Sequence, residues 1–361
     1  MVYNPAREEV AILRKMRIAE LVKSGCLQLV EGPAGDPAPG QVQVRVQAVG
    51  VCGSDMLSFT SGGIGGLECR YPQVLGHEPT GTVVKAGAGV TGWAPGDRAA
   101  LEPALYCYHC EFCHAGHHNI CRDIQFHSTG GVPGFLREYV SLPVESLLPL
   151  PAGVGFTEGT LFEPLAVVLH SMRFVALRPI ETAAVFGAGP IGLLTVALLK
   201  LSGAGRVWAI DPVAHRRELA LAMGADAAID PRSADAAHEI LRDTGSRGVD
   251  VTIDCAARGH SLDQFVAAVR NGGRMVVTGI PFEMQVPIDW HIARRKELAI
   301  YNVRRSNHES PAALQLLAEQ PARFRPLITH VMPLEQAQPA FDMLKGYADG
   351  VGKLVIGLGA R

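Results

Sequence analysis

Four cysteines fall within fifteen residues, Cys107, Cys110, Cys113 and Cys121, in the spacing C-x2-C-x2-C-x7-C. A zinc held by four thiolates needs sulfurs about 2.3 Å from one point, and short C-x2-C loops let the backbone curl far enough to present them. Four protein ligands leave no position for water or substrate, so this metal is expected to fold a lobe and do no chemistry. Four unpaired thiols or two disulfides are the alternatives, both rarer outcomes of such a run. A second donor set is dispersed: Cys52 in Gly50-Val51-Cys52-Gly53-Ser54-Asp55, His77 and Glu78 in Gly76-His77-Glu78, and Glu163 ahead of Pro164. A sulfur, an imidazole and a carboxylate can make a zinc site with one open position, as catalysis requires. Each is ordinary alone, and a solitary Gly-His-Glu is more often a surface turn than a ligand pair.

A third constellation is Gly187-Ala188-Gly189-Pro190-Ile191-Gly192, a G-x-G-x-x-G directly after the apolar run Ala183 to Phe186. Alone the pattern is weak; between a strand and a helix it gains meaning. The first glycine permits a tight turn, the second lets a pyrophosphate approach the backbone, and the third lets helix and strand pack closely. Pro190 suits a first helical turn, where its missing N–H costs nothing. Asp211 closes the next apolar run, 19 residues beyond Gly192, near the spacing of about 20 for an acid that binds the ribose hydroxyls. It could instead cap a helix ahead of Pro212. An acid here repels a 2′-phosphate, so NAD is expected over NADP; Arg216 and Arg217 stand one helical turn away, and Arg216 is counted among the cofactor residues.

These residues need two kinds of scaffold. From about Met16 to Pro151 short alternating runs such as Gln41 to Val46 and Gly81 to Lys85, broken by turns such as Ala94-Pro95-Gly96-Asp97, predict a β-rich barrel or sandwich. From about Thr182 to Val303 apolar bursts at Ala183 to Phe186, Val207 to Ile210, Val249 to Ile253, Arg274 to Thr278 and Leu298 to Asn302 alternate with helical patterns, notably Ile191 to Leu201, His215 to Met223 and Ser261 to Asn271. That alternation predicts a parallel, doubly wound sheet and an α/β fold. The tail from Asn307 to Arg361 reads as a helix after Ser310, a strand at Thr329 to Met332, a helix at Leu334 to Lys345 and a closing strand at Lys353 to Ile356.

At 361 residues, with 48% hydrophobic residues and a formal charge of −2, the chain is long enough for two domains. Lysines and arginines are scattered and form no basic stripe, which argues against nucleic acid. The loop Tyr108-His109-Cys110-Glu111-Phe112 is not basic, as a zinc-ribbon nucleic-acid module would require. Met1 to Met16 is charged and lacks an apolar core for a signal peptide, and no run approaches a membrane span. Eight cysteines at metal-like spacing fit a reducing cytoplasm.

The order Cys52-Gly53-Ser54-Asp55, Gly76-His77-Glu78, Gly96-Asp97-Arg98, four-cysteine lobe, Glu163-Pro164-Leu165-Ala166 and Gly-x-Gly-x-x-Gly resembles the zinc-dependent medium-chain dehydrogenase/reductase superfamily, above all its sorbitol (polyol) and threonine dehydrogenase branch. The resemblance runs from Met16 to Gly357. It implies a GroES-like catalytic domain over residues 1–163 carrying both zincs, a Rossmann coenzyme domain over 164–305, and a segment over 306–361 that returns to the catalytic domain, with the active site in the cleft. By the same resemblance Cys52 and His77 hold the catalytic zinc, Glu78 coordinates it, and Glu163 binds it directly or through water. Ser54 hydrogen-bonds the reacting oxygen, Phe126 lines the substrate pocket, and Arg304 matches the arginine of an Arg-Tyr-x-Asn segment. Two departures stand out: Leu57 replaces a histidine that passes the proton to solvent, and Arg305 replaces the tyrosine.

The implied reaction is oxidation of a secondary alcohol of a polyol, sugar or sugar acid, with hydride passing to NAD. With no histidine at Leu57, Ser54 and Glu163 with its water are expected to share the proton's exit. Two adjacent arginines, Arg304 and Arg305, point to an anionic hydroxylated acid, of which only one arginine of a strand pair would reach the substrate; a neutral polyol is the alternative. Other readings are a dehydrogenase of simple alcohols or of a threonine-type amino alcohol, and a binding protein that keeps the fold without catalysis. Relatives of this fold imply a homodimer or homotetramer joined partly through the edge strand Leu298 to Asn302.

Overall fold

Strand Gln41–Gly50 buries Val42, Val44 and Val46 on one face and is the hub of the first half of the molecule. In the computed structural model, which describes residues 14–256 and 261–359, this strand pairs antiparallel with Glu78–Ala86, with Tyr139–Pro143 and with Lys353–Gly357. The resulting seven-stranded sheet continues through Arg98–Leu101 and Leu147–Pro149 on one side and Ile328–Pro333 on the other. Two of its strands therefore come from the C-terminal segment. The alternating runs and the closing strands agree with expectation. The charged segment read at Met1 to Met16 lies, up to residue 13, outside the described residues.

The second sheet has six parallel strands in the order Ala227–Ile229, Arg206–Ile210, Thr182–Phe186, Val249–Asp254, Val269–Val277, Ala299–Asn302. Relative to chain order this is 3-2-1-4-5-6, the doubly wound arrangement whose ligand crevice opens where the order reverses. Strand Val249–Asp254 is buried at every position, as a central parallel strand covered by helices on both faces must be. The helix expected over Ser261 to Asn271 stops at Ala268, and strand Val269–Val277 begins at once. Gly272 and Gly273, which fall between the helix and the strand expected here, lie inside the strand.

Two helices that carry site residues have little periodic signal. Gly53–Ser61 lies within the stretch read as strands; it buries only Asp55, Ser58 and Phe59, begins at Cys52 and ends at Gly62 with φ of 73°. Phe162–Val175 places Glu163 in its first turn and packs on the helices Pro190–Leu201 and Ser310–Glu319. Among the described residues no helix is long and apolar enough to cross a membrane.

Candidate active site

Cys52 sits at the N-terminus of helix Gly53–Ser61, and the Asp55 carboxylate accepts its backbone N–H at 3.1 Å. That reciprocal cap aims the thiol out of the helix end toward His77 and Glu78, at the mouth of strand Glu78–Ala86. Donor atoms of Cys52, His77 and Glu78 lie within 4.8 Å of one another. His77 Nδ1 faces Asp55 Oδ1 at 3.2 Å, so Nε2 is the ring atom turned to the site, where Ser54 Oγ lies at 3.3 Å. A carboxylate behind an imidazole fixes its orientation and raises its basicity toward a metal.

Asp55 is itself held by Ser128 Oγ at 2.7 Å and by the Gly76 N–H at 3.0 Å. Burial alone would raise its carboxyl, but the neighbouring His77 and hydrogen bonds from His77, Ser128 and the Cys52 N–H outweigh it and bring it down to about 2. Burial pushes the His77 imidazole down, yet Asp55 and Cys52 pull it well above its ordinary value. The pocket thus draws positive charge, which suits a divalent cation on a sulfur, nitrogen and oxygen donor set.

Glu78 is fully buried and tied to Lys353 of the C-terminal strand, whose Nζ reaches Oε1 at 2.6 Å; Oε2 lies beside the same ammonium without meeting hydrogen-bond geometry. Burial works against the Lys353 charge, but Glu78 and Cys52 hold it protonated. Any side chain at Gly50 would strike this carboxylate, since a Cβ there falls 2.0 Å from Glu78 Oε2. Glu163 is buried and outside the group of mutually close donors, though it feels both His77 and Glu78. Burial, with Glu78 and Glu102 nearby, raises its carboxyl to about 7 against the pull of His77 and Lys353.

Phe126 packs its ring 5.2 Å from that of His77, and Arg305 stacks its guanidinium 3.9 Å from the Phe126 centroid. The two arginines separate. Their segment has left the strand, which ends at Asn302, and Arg305 adopts a left-handed φ of 54°. Arg305 turns inward while Arg304 is exposed, its carbonyl accepting from Asn119 Nδ2 at 3.0 Å. The premise that strand alternation would divide the pair is therefore corrected: a left-handed backbone divides it.

The four-cysteine lobe is built as its spacing requires. Cys107, Cys110, Cys113 and Cys121 present sulfurs within 4.8 Å of one another, with separations of 3.5, 3.9 and 4.0 Å across three of the pairs. Four sulfurs about 2.3 Å from a central zinc stand about 3.8 Å apart in a tetrahedron, so this set fits that metal.

At the coenzyme sheet the three glycines have distinct duties. Gly187 has φ of 96°, and Gly192 approaches the chain so closely that a Cβ would fall 1.8 Å from the Gly187 carbonyl oxygen. Gly189 caps helix Pro190–Leu201 and faces open space, with Arg216 Nη1 3.9 Å from where its Cβ would be. Ile191 continues the helix behind Pro190. Asp211 accepts the Ala188 and Val213 N–H groups, each at 2.8 Å, and so fastens the glycine turn to the next strand. Arg216 Nη1 stands 4.0 Å from that carboxylate and its guanidinium stacks on Tyr347, 4.2 Å from the ring centroid.

Sequence reasoning assigned no part to Asp55, Ser128, Lys353 or Gly50. Lys353 left a trace, a charge opening the apolar run Lys353 to Ile356.

The family models agree with this geometry. Residues 38–152 match the alcohol dehydrogenase GroES-like domain and residues 190–319 the zinc-binding dehydrogenase domain. The chain is 33% identical to sorbitol dehydrogenase of Bacillus subtilis (strain 168) over 91% of its own length and 93% of that protein. It is 37% identical to sorbitol dehydrogenase of Homo sapiens over 89% and 90% of the two chains. Among solved structures, 2R,3R-butanediol dehydrogenase from Bacillus subtilis superposes with a TM-score of 0.86 at 29% identity, covering 95% of this chain and 100% of that one. A dispersed sulfur, imidazole and carboxylate set, a four-thiolate lobe and a dinucleotide sheet, together with this likeness over nine-tenths of the sequence, place the chain in the zinc-dependent medium-chain dehydrogenase/reductase superfamily, in its polyol dehydrogenase branch.

Proposed function

We propose that the protein oxidises a secondary alcohol of a polyol, sugar or sugar acid and passes the hydride to NAD. The observation that carries this reading is the convergence of Cys52, His77 and Glu78 donor atoms beside the Ser54 hydroxyl. Cys52 and His77, with Glu78 or Glu163, would hold the catalytic zinc, which when bound supplies a Lewis acid that lowers the pKa of an alcohol. NAD supplies the hydride acceptor.

The chain's own residues then orient and deprotonate. Asp55 fixes the His77 ring so that Nε2 faces the site. Ser54 Oγ is placed to take the hydroxyl proton, and burial beside Glu78 and Glu102 favours a proton on the Glu163 carboxyl. With Leu57 where a histidine relay would begin, Ser54 and Glu163 carry the proton outward. Phe126 packs its ring beside the imidazole. Gly187, Gly189, Pro190, Ile191 and Gly192 receive the pyrophosphate, and Asp211 the adenosine ribose, with Arg216 beside it. Asp211 disfavours a 2′-phosphate, so NAD is the preferred coenzyme.

The test is NAD reduction by the purified protein across polyols, aldoses, aldonates, amino alcohols and simple alcohols. Polyol or sugar-type turnover supports the reading; activity confined to simple alcohols or threonine, or none at all, overturns it. We further infer a homodimer or homotetramer joined at the edge strand Ala299–Asn302, which pairs on one side only within this chain, and a cytoplasmic setting that keeps the cysteines reduced. Light scattering checks the assembly.

A further inference from the structure

Arg305 is a largely buried cation without a counter-ion. Its Nη1 is shielded from solvent and has no hydrogen-bond partner, and it forms no ion pair among the described residues. Burial, with Arg304 adding to it, brings its guanidinium down to about 10, against the pull of Glu163 and Tyr106. Glu163 is thus within electrostatic reach but outside ion-pair distance. Leaving a buried guanidinium donor unmade is costly, and proteins pair or hydrate such groups unless a ligand is to use them.

The position is enforced by the surroundings. A non-glycine residue at φ of 54° is uncommon, and such outliers persist when neighbouring structure over-determines them. Here the zinc lobe supplies the clamp. Asn119 Nδ2 donates to the Arg304 carbonyl at 3.0 Å, the His118 N–H donates to Asn307 Oδ1 at 3.0 Å, and Asn307 Nδ2 donates to the Gly116 carbonyl at 2.8 Å. Phe126 forms the floor under the guanidinium and also touches His77. Phe126 thus lies against both Arg305 and His77, which sets the guanidinium one ring away from the imidazole beside the Ser54 hydroxyl.

We propose that Arg305 receives a carboxylate of the substrate, so that the enzyme acts on a hydroxylated acid; this rests on the reading of the chain as a zinc- and NAD-dependent alcohol oxidoreductase. A planar fork pairs bidentately with a carboxylate, and a stacked guanidinium keeps that fork fixed. A monoanion matches a single cation: Lys353 is committed to Glu78, and Arg304 faces solvent. A phosphate ester shares this chemistry but brings more charge than one guanidinium neutralises.

The experiment compares an aldonate, the alditol of the same length and its terminal phosphate ester as substrates of the zinc-loaded enzyme with NAD. Wild type is expected to prefer the aldonate. Arg305→Gln should shift the ratio of aldonate to alditol efficiency by about tenfold or more, chiefly through KM, with Arg305→Lys between the two. Turnover of the alditol but not the aldonate, an equal loss on both in Arg305→Gln, or preference for the phosphate ester would each overturn the carboxylate assignment while leaving the oxidoreductase reading intact. Should no compound be oxidised, that reading fails, and calorimetry with the NADH-loaded wild type decides the proposal alone: aldonate binding without alditol binding supports it, and no aldonate binding sinks it. The wild-type measurements hold whether or not either variant folds.

Discussion

The four-cysteine lobe and the Cys52 site would each hold the same metal, yet they are built in opposite ways. In the lobe every donor comes from fifteen consecutive residues, and the sulfurs approach one another through their own loops. In the Cys52 site the close donors are drawn from a helix start and a strand start, with Glu163 on a distant helix outside them, and two are steadied from elsewhere: Asp55 behind His77, Lys353 behind Glu78. A local set closes cheaply because its loops are short, and it fills its own coordination sphere. A dispersed set depends on the finished fold, and that dependence is what leaves one position open for chemistry.

Metal removal is the strongest way to break this contrast. Mild chelation should strip the Cys52 site first and abolish turnover while the lobe keeps its zinc, because an open site exchanges through its substrate opening. Elemental analysis alongside activity checks it, and turnover that outlasts both zincs would refute the assignment. Next in size is Lys353→Met. Removing one partner of a buried ion pair costs about 3–5 kcal/mol, read by urea unfolding, and adding Glu78→Gln should recover part of it. Asp55→Asn sharpens the contrast further: loss of a carboxylate behind a ligating imidazole lowers metal affinity by about 10- to 100-fold at this site, with retention in the lobe unchanged. The smallest effect is expected away from both metals. Asp211→Ala should raise the KM for NAD by about tenfold and narrow the preference over NADP; a wild type that already uses both coenzymes alike would contradict the part given to Asp211.

What the sequence made legible follows the same division. The lobe, the glycine turn and Asp211 could be read because their chemistry depends on short spacing. Cys52, His77, Glu78 and Glu163 could be picked out by donor chemistry, but no spacing joins them, so their separate parts came only from the resemblance. Lys353 and Asp55 escaped assignment because a buried lysine in a strand and an acid in a helix look ordinary until the partner is seen across the fold. The Arg304 and Arg305 pair shows a different limit. Which one turns inward depends on a left-handed backbone clamped by Gly116, His118 and Asn119, and such an outlier has no signature in residue type.

The tie between Glu78 and Lys353 joins residues 275 positions apart, and a ribosome builds them in that order. At about 5–20 residues per second, the carboxylate waits roughly 15–55 s for its ammonium, and the hub strand Gln41–Gly50 waits slightly longer for Lys353–Gly357. During that interval the first half lacks both the cation that partners Glu78 and the strand that covers one end of the hub strand. A messenger cut short before the final codons would therefore keep every strand of the coenzyme sheet, which ends at Asn302, and lack the ammonium that partners Glu78.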